Sequence, residues 1–139
     1  MVKMIIEDDN KIKDILTKYK TIAVVGCSKD PSKASNRIPA MMKKHGYKII
    51  PVNPTADVIL GEKCYHSLKE IRDLEVDMIN IFRPGSEVPK IIEESLFLNP
   101  KVIWLQLGIS SEEGAKISEK NGIDIVIDRC IKIEYSRLL

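Results

Sequence analysis

Five short apolar runs, rich in β-branched residues, constrain the fold of this chain more than any other feature. They cover residues 21–25, 47–52, 77–82, 102–107 and 123–127. Each run is continuously apolar rather than alternating, which is typical of strands in a parallel sheet covered on both faces. The segments between the runs carry apolar residues at helical spacing. The pattern predicts an α/β fold: a doubly wound, mainly parallel sheet of about five strands with helices on both faces.

Helical segments fill the intervals between these runs. We predict a single domain over residues 1–139, with an N-terminal helix within residues 1–19 that Asp8 or Asp9 caps. Further helices are predicted over residues 35–44, 88–96 and 111–120. A capping-box pattern from Ser67 to Glu70 predicts one more short helix. Residues 53–65 are irregular, with room for one short strand.

Composition is that of an ordinary globular protein and argues against several classes of partner. The 139 residues carry a net charge of only +2, which is too small for general binding to nucleic acids or membrane surfaces. The acidic start of the chain argues against a signal peptide, and no apolar run approaches the length of a membrane span. We therefore expect a cytoplasmic location.

The loop after the first run combines the features of a phosphate site. The run ends at Gly26, which permits a tight turn into the following helix. Hydroxyls and cations follow at Ser28, Lys29, Ser35 and Arg37, and such groups around a helix start suit pyrophosphate oxygens. Lys33 is expected to be a solvated loop residue. The full G-x-G-x-x-G fingerprint of dinucleotide-binding proteins is absent.

The second run ends in Asn53-Pro54. A dinucleotide dehydrogenase usually has an acidic residue near this point to hold a ribose diol, so the chain is poorly suited to NAD. Pro51 and Pro54 flank Val52 and Asn53 and predict a rigid wall with few hydrogen-bond donors. Such a wall can pack an adenine ring or an apolar arm, or it can be only a stiff turn.

The third and fourth runs also end in residues that can contact a ligand. Arg83-Pro84 follows the third run, whereas Gln106 and Gly108 lie at the end of the fourth. Because ligands of doubly wound sheets bind beyond the carboxyl ends of the strands, we expect all four loops to converge in one crevice. Gln106 and Gly108 would then contact the ligand or merely end the strand.

Cysteine and histidine patterns offer little chemistry. Three widely spaced cysteines without a Cys-x-x-Cys pair predict neither a disulfide framework nor a zinc site. Cys27 lies at a helix N-terminus beside Lys29, which should lower its thiol pKa, although a small buried residue is the favoured role. Cys130 follows the last run and is a second candidate thiol. His45 and His66 are expected to be isolated and exposed, and neither a metal site nor a catalytic residue is predicted.

Taken together, these segments resemble the CoA-binding domain proteins. The resemblance covers nearly all of the chain after the first helix. Its motifs are Val24-Val25-Gly26-Cys27-Ser28, Pro31, Ser35-Asn36-Arg37, residues 46–54, residues 61–65, residues 77–84, Trp104-Leu105-Gln106-Leu107-Gly108 and Asp128-Arg129-Cys130. The family is similar to the N-terminal CoA-binding domain of the succinyl-CoA synthetase α subunit, but stands alone.

The resemblance implies a Rossmann-like fold that binds coenzyme A, with the diphosphate over the loop after the first strand. It implies that Gly26, Ser28, Lys29 and Arg37 lie near the phosphates. It places Val52, Asn53 and Pro54 near the nucleotide, and Phe82, Arg83 and Pro84 along the cofactor. Leu105 separates Trp104 from Gln106, which departs from the family pattern. The synthetase depends on a phosphorylated histidine in a separate domain, so ligase activity is not implied.

Four functions follow from these features, in decreasing order of preference. The first is a CoA-binding or regulatory module without chemistry of its own, which binds CoA or acyl-CoA. The second is an enzyme or thiol-exchange protein that acts on CoA thioesters through Cys27 or Cys130. The third is an NAD(P)-binding redox protein, and the fourth is a regulator whose ligand alters its assembly with a partner. A homodimer is compatible with such a small domain.

Overall fold

Five parallel strands form the central sheet of this computed structural model, which describes residues 4–139. The strands of this sheet are β1 (Thr21–Val25), β2 (Lys48–Val52), β5 (Met78–Ile81), β6 (Val102–Leu105) and β7 (Asp124–Val126). Their spatial order is β2-β1-β5-β6-β7, and every neighbouring pair is parallel. The chain winds outward from β1 to β2 and then crosses to β5 on the other side. The predicted doubly wound, Rossmann-like fold is therefore confirmed.

Within residues 4–139, five α-helices cover this sheet. They are α1 (Asp9–Lys18), α2 (Ala34–Lys44), α3 (Val88–Ser95), α4 (Glu112–Lys120) and α5 (Ile131–Leu138). Asp8 caps α1 by accepting from the backbone N–H groups of Asn10 and Lys11. The first helix is shorter than the predicted span of residues 1–19, of which residues 1–3 lie outside the described part. Helix α5 is not among the helices predicted from the sequence.

Residues before α1 extend the sheet instead of forming a longer helix. The Ile6 N–H donates to the carbonyl of Ile125, and the Ile125 N–H donates to the carbonyl of Met4, both at 2.8 Å. Ile5 thereby forms a parallel bridge beside β7. This segment satisfies backbone groups at an edge that would otherwise be open to other chains.

Alternate residues of each strand feed two separate apolar cores. On β1, β5 and β6, Ile22, Met78 and Trp104 face the layer of α1, α2 and α5. Ala23 and Ile79 face the opposite layer of α3 and α4. Both faces of every strand are thus buried, which is why the sequence reads as continuous apolar runs. Trp104 is fully buried, and its indole N–H donates to the carbonyl of Arg129.

A small hairpin interrupts the crossover from β2 to β5. Strands β3 (Val58–Ile59) and β4 (Glu62–Lys63) are antiparallel, so this stretch carries two strands rather than one. The predicted capping box is not formed. The carboxylate of Glu70 accepts from the backbone N–H of His66, and only a single 3₁₀ turn follows over Leu68–Glu70. Among the described helices, none is long and apolar enough to cross a membrane.

Candidate ligand-binding cleft

An open cleft of about 630 Å³ lies at the carboxyl ends of β1, β2 and β5. The winding of the chain reverses at β1, since β2 lies on one side of it and β5 on the other. Such a switch point leaves a crevice because the two outgoing loops diverge. The cleft walls come from the loops after these three strands, the 3₁₀ turn and α3. Its lining residues are Val25, Gly26, Ser28, Lys33, Ser35, Val52, Asn53, Pro54, Thr55, His66, Ser67, Leu68, Phe82, Arg83, Glu87, Ile91 and Glu94.

Gly26 lets two of these loops approach each other closely. Its φ of +86° is in the left-handed region, and its N–H donates to the carbonyl of Val52 at 3.0 Å. A Cβ at this position would lie 2.9 Å from Cδ of Arg83 and 3.2 Å from the carbonyl oxygen of Phe82. A side chain here would therefore push the loop after β5 away from the loop after β1.

The N-terminus of α2 opens into the cleft without a capping side chain. Within the described chain, no side chain caps this helix and its first turn contains no acidic residue. Ser28, Lys33 and Ser35 line the cleft beside it. Free N–H groups, the positive end of the helix dipole and a lysine together favour an anionic group at this end of the cleft.

Asn53 braces the cleft from the end of β2. Its Nδ2 donates to the carbonyl of Cys27 at 2.9 Å, and its Oδ1 accepts from both the N–H and the hydroxyl of Thr55 at 2.8 Å. The amide thus joins the loop after β1 to the turn after β2. An aspartate at this position could not donate to Cys27, which explains the amide in structural terms.

Arg83 lies in the cleft but is already paired. Its Nε and Nη2 donate to the two carboxylate oxygens of Glu87 at 3.2 and 2.8 Å. Hydrogen bonding to Glu87 raises the pKa of Arg83 above its ordinary value. The side chain of Arg83 is about half exposed. Phe82 lines the cleft as well, whereas Pro84 begins the turn that leads away from it.

Several sequence-predicted residues lie outside the cleft. Arg37, in α2, donates to the carbonyl of Ser32 in the preceding loop, and Lys29 is exposed to solvent. Gln106 is buried, and its Oε1 accepts from the backbone N–H of Ile131 at 3.0 Å. The Gly108 N–H donates to Asp128 Oδ1 at 2.6 Å. The cleft also excludes Cys27 and Pro84.

Contact between the loops after β5 and β6 explains why Gln106 and Gly108 lie outside the cleft. A Cβ on Gly85 would lie only 2.2 Å from the carbonyl oxygen of Ser110. These two loops therefore touch and leave no gap between them. Of the four strand ends predicted to meet in one crevice, those of β1, β2 and β5 border this cleft, and the end of β6 does not.

Burial, rather than the nearby helix end, determines the pKa of the Cys27 thiol. Cys27 is fully buried, and this burial raises its pKa to about 12, with a further contribution from nearby Cys64. The predicted lowering of this pKa is therefore wrong, whereas the favoured role of a small buried residue is confirmed. Cys64 and Cys130 are also buried.

Residues that were not predicted to contact a ligand also line the cleft. Lys33 is exposed, as expected, but it borders the cleft beside α2. His66 is exposed but not isolated, because its Nε2 lies 2.9 Å from Oδ1 of Asp57. His45 likewise stacks on the ring of Tyr135. The hairpin carries His66 to the cleft, and no local pattern signals that placement. Within residues 4–139, no group of three potential ligands is arranged to hold a metal ion.

These features define a Rossmann-like α/β domain with an anion-favouring cleft at its topological switch point. Residues 20–136 match the family described as CoA binding domain, and the chain belongs to this family. The family prediction made from the sequence is thus confirmed.

Relatives fall into two groups by length. The chain is 41% identical over 126 residues to the uncharacterized protein YneT of Bacillus subtilis (strain 168), covering 91% of this chain and 93% of YneT. The structure of a hypothetical protein from Pyrococcus horikoshii OT3 superposes with a TM-score of 0.91 at 34% identity, covering 95% and 92% of the two chains. The acetate–CoA ligase [ADP-forming] II of Archaeoglobus fulgidus is 38% identical over 118 residues. That match covers 76% of this chain but only 17% of the ligase.

Proposed function

We propose that this chain binds coenzyme A or an acyl-CoA in the switch-point cleft. Membership of the CoA binding domain family supports the identity of the ligand. The main support within the molecule is the uncapped N-terminus of α2, which opens into the cleft beside Ser28, Lys33 and Ser35. In this proposal these groups hold the diphosphate, because backbone N–H groups and a cation there match its charge.

The remaining walls suit the rest of the ligand. We assign the nucleotide to the rigid turn of Val52, Asn53 and Pro54, and the ligand's path along and beyond the diphosphate to Phe82 and Arg83. Leu68 and Ile91 add apolar surface to the same cleft. Mixed apolar and polar walls are typical of small-molecule sites, in which apolar contacts supply affinity and polar groups set orientation.

We further propose that the chain is a binding or regulatory module rather than an enzyme. Cys27 lies in the loop after β1, next to the cleft residues Gly26 and Ser28 in sequence. Its raised pKa keeps the thiol protonated at neutral pH. This favours a structural role over thiol exchange at Cys27. A cytoplasmic location, the lack of a nucleic-acid partner and a homodimer remain predictions from the sequence.

Calorimetric titration with CoA, acetyl-CoA, NAD⁺ and NADP⁺ tests the ligand. We expect CoA to bind, and the comparison with acetyl-CoA shows whether a free thiol matters. Binding of NAD⁺ or NADP⁺ without CoA would overturn the proposal and favour the redox alternative.

A pair of lysine variants tests the position of the diphosphate. Lys33 borders the cleft, whereas Lys29 is on the same loop but outside it. Lys33→Ala should weaken CoA binding by about three- to tenfold, and Lys29→Ala should leave it nearly unchanged. Equal losses in the two variants would show that the loop acts only through its overall charge.

A further inference from the structure

Arg83 and Glu87 form a closed ion pair on the wall of the cleft. Both residues line it, and the guanidinium meets the carboxylate through two hydrogen bonds, from Nε at 3.2 Å and from Nη2 at 2.8 Å. The two side chains are 48% and 45% exposed, so solvent and a ligand can both reach the pair. The cation expected to meet an anionic ligand is therefore occupied before any ligand arrives.

The position of the pair matters as much as its geometry. The Cγ and Cδ atoms of Arg83 pack over Gly26, so the guanidinium is held next to the loop after β1. Glu87 lies four residues further along the chain, immediately before α3. The pair thus adjoins the loop to which we assign the diphosphate.

We propose that Glu87 is an internal competitor for the anionic ligand and sets the affinity of the cleft for phosphate groups through Arg83. This inference rests on the proposed function. A guanidinium presents the same two-pronged donor face to a carboxylate and to a phosphate, so the two compete for one site. A diphosphate carries more charge than a carboxylate and can displace Glu87, whereas weakly charged ligands cannot.

The other charged residues that line the cleft also contribute to its electrostatic potential. Lys33 and His66 are the further basic residues that line it, and Glu94 is the further acidic one. Glu94 makes no hydrogen bond or ion pair with Arg83 among the described residues. It lowers the potential of the cleft without occupying the guanidinium, which makes Glu94 the matched control for Glu87.

Titration of Glu87→Gln with CoA tests the proposal. The substitution keeps the shape of the side chain but removes its charge, so we expect CoA to bind about two- to fivefold more tightly than to the unaltered protein. Glu94→Gln should give a smaller gain, from reduced repulsion alone. In an Arg83→Ala background the gain from Glu87→Gln should fall to the level of Glu94→Gln.

The outcomes separate this inference from the proposed function. If the unaltered protein binds CoA but Glu87→Gln binds no more tightly than Glu94→Gln, the competition is disproved and the binding function stands. If neither the unaltered protein nor Glu87→Gln binds CoA, the binding function itself fails, and this inference fails with it. A gain that persists without Arg83 would show that Glu87 acts only through its general charge.

Discussion

The side-chain amide of Asn53 donates to the carbonyl oxygen of Cys27 at 2.9 Å and so ties the end of β2 to the loop after β1. Neighbouring parallel strands are hydrogen-bonded along their length, but their outgoing loops are free to diverge. This bond, together with the Gly26 N–H donated to Val52, holds the two loops at one wall of the cleft. The shape of the cleft therefore depends on a polar side chain outside the apolar cores.

Removal of this amide should loosen the cleft. We expect Asn53→Ala to lower the free energy of unfolding by about 1–3 kcal/mol, because the Cys27 carbonyl and the Thr55 turn both lose a partner. The affinity for CoA should also fall, and by more than the reduced fraction of folded protein accounts for. Urea denaturation and calorimetry measure the two effects. Asn121→Ala is the control, since Asn121 is exposed at the end of α4, outside the cleft.

Gly26 and Gly46 separate conformational strain from steric contact. Both have a positive φ, at +86° and +94°, but a Cβ on Gly46 would meet nothing within 4 Å. We expect Gly46→Ala to cost about 1–2 kcal/mol of stability from strain alone. Gly26→Ala should cost more, since its Cβ also collides with Arg83 and the Phe82 carbonyl, and it should abolish CoA binding. Thermal denaturation and calorimetry check both variants. Equal losses of stability would contradict the close packing of these two loops.

The raised pKa of Cys27 predicts a loss of stability at alkaline pH. Between pH 9 and about 12 the unfolded chain releases the thiol proton while the folded chain retains it. The unfolded state then binds fewer protons, so the free energy of unfolding should fall by about 1.4 kcal/mol per pH unit from this group. Tyr47, whose pKa burial raises to about 12, adds a second contribution above pH 10.

Denaturation under reducing conditions between pH 8 and 10 measures this effect. Cys27→Ala should show a shallower slope with pH than the unaltered protein, whatever its absolute stability. If the two slopes coincide, the Cys27 thiol ionises equally in both states and the assignment is wrong.

The carboxyl group of Glu134 should contribute to the acid limb of the stability profile, that is, to the fall in the free energy of unfolding at low pH. It is buried on α5, and hydrogen bonds from Arg137 and then from Arg129 hold the pKa of its carboxyl below the ordinary value. A lowered folded pKa stabilises the protein above the unfolded pKa, and this contribution is lost as pH falls through the folded pKa. Arg137 also pairs with Asp9, so the network ties α5 to α1.

Glu134→Gln should therefore lower stability by about 1–3 kcal/mol at pH 7 and flatten its decline between pH 5 and pH 3. Urea denaturation across this range provides the measurement. Glu93→Gln, at an exposed position of α3, should change neither the stability nor the slope. An acid limb that is unchanged in Glu134→Gln would mean that other carboxyl groups control it.

Sequence alone determined the layered α/β fold, the approximate positions of all five sheet strands, and the family. It could do so because strands buried on both faces require continuous apolar runs, and because Gly26 and Gly108, both with positive φ, mark the turns after β1 and β6. Gly26, Asn53 and Arg83 were also identified as cleft residues, since each directly follows one of the apolar runs of the sequence.

Tertiary structure alone decided how these residues are used. The Gly85–Ser110 contact separates Gln106 and Gly108 from the cleft, and burial raises the Cys27 pKa that its helix-end position would lower. Likewise, the hairpin delivers His66 to the cleft, and Glu87 occupies Arg83. Each of these depends on contacts between different loops or on solvent exposure, and neither is encoded in the local spacing of residues along the chain.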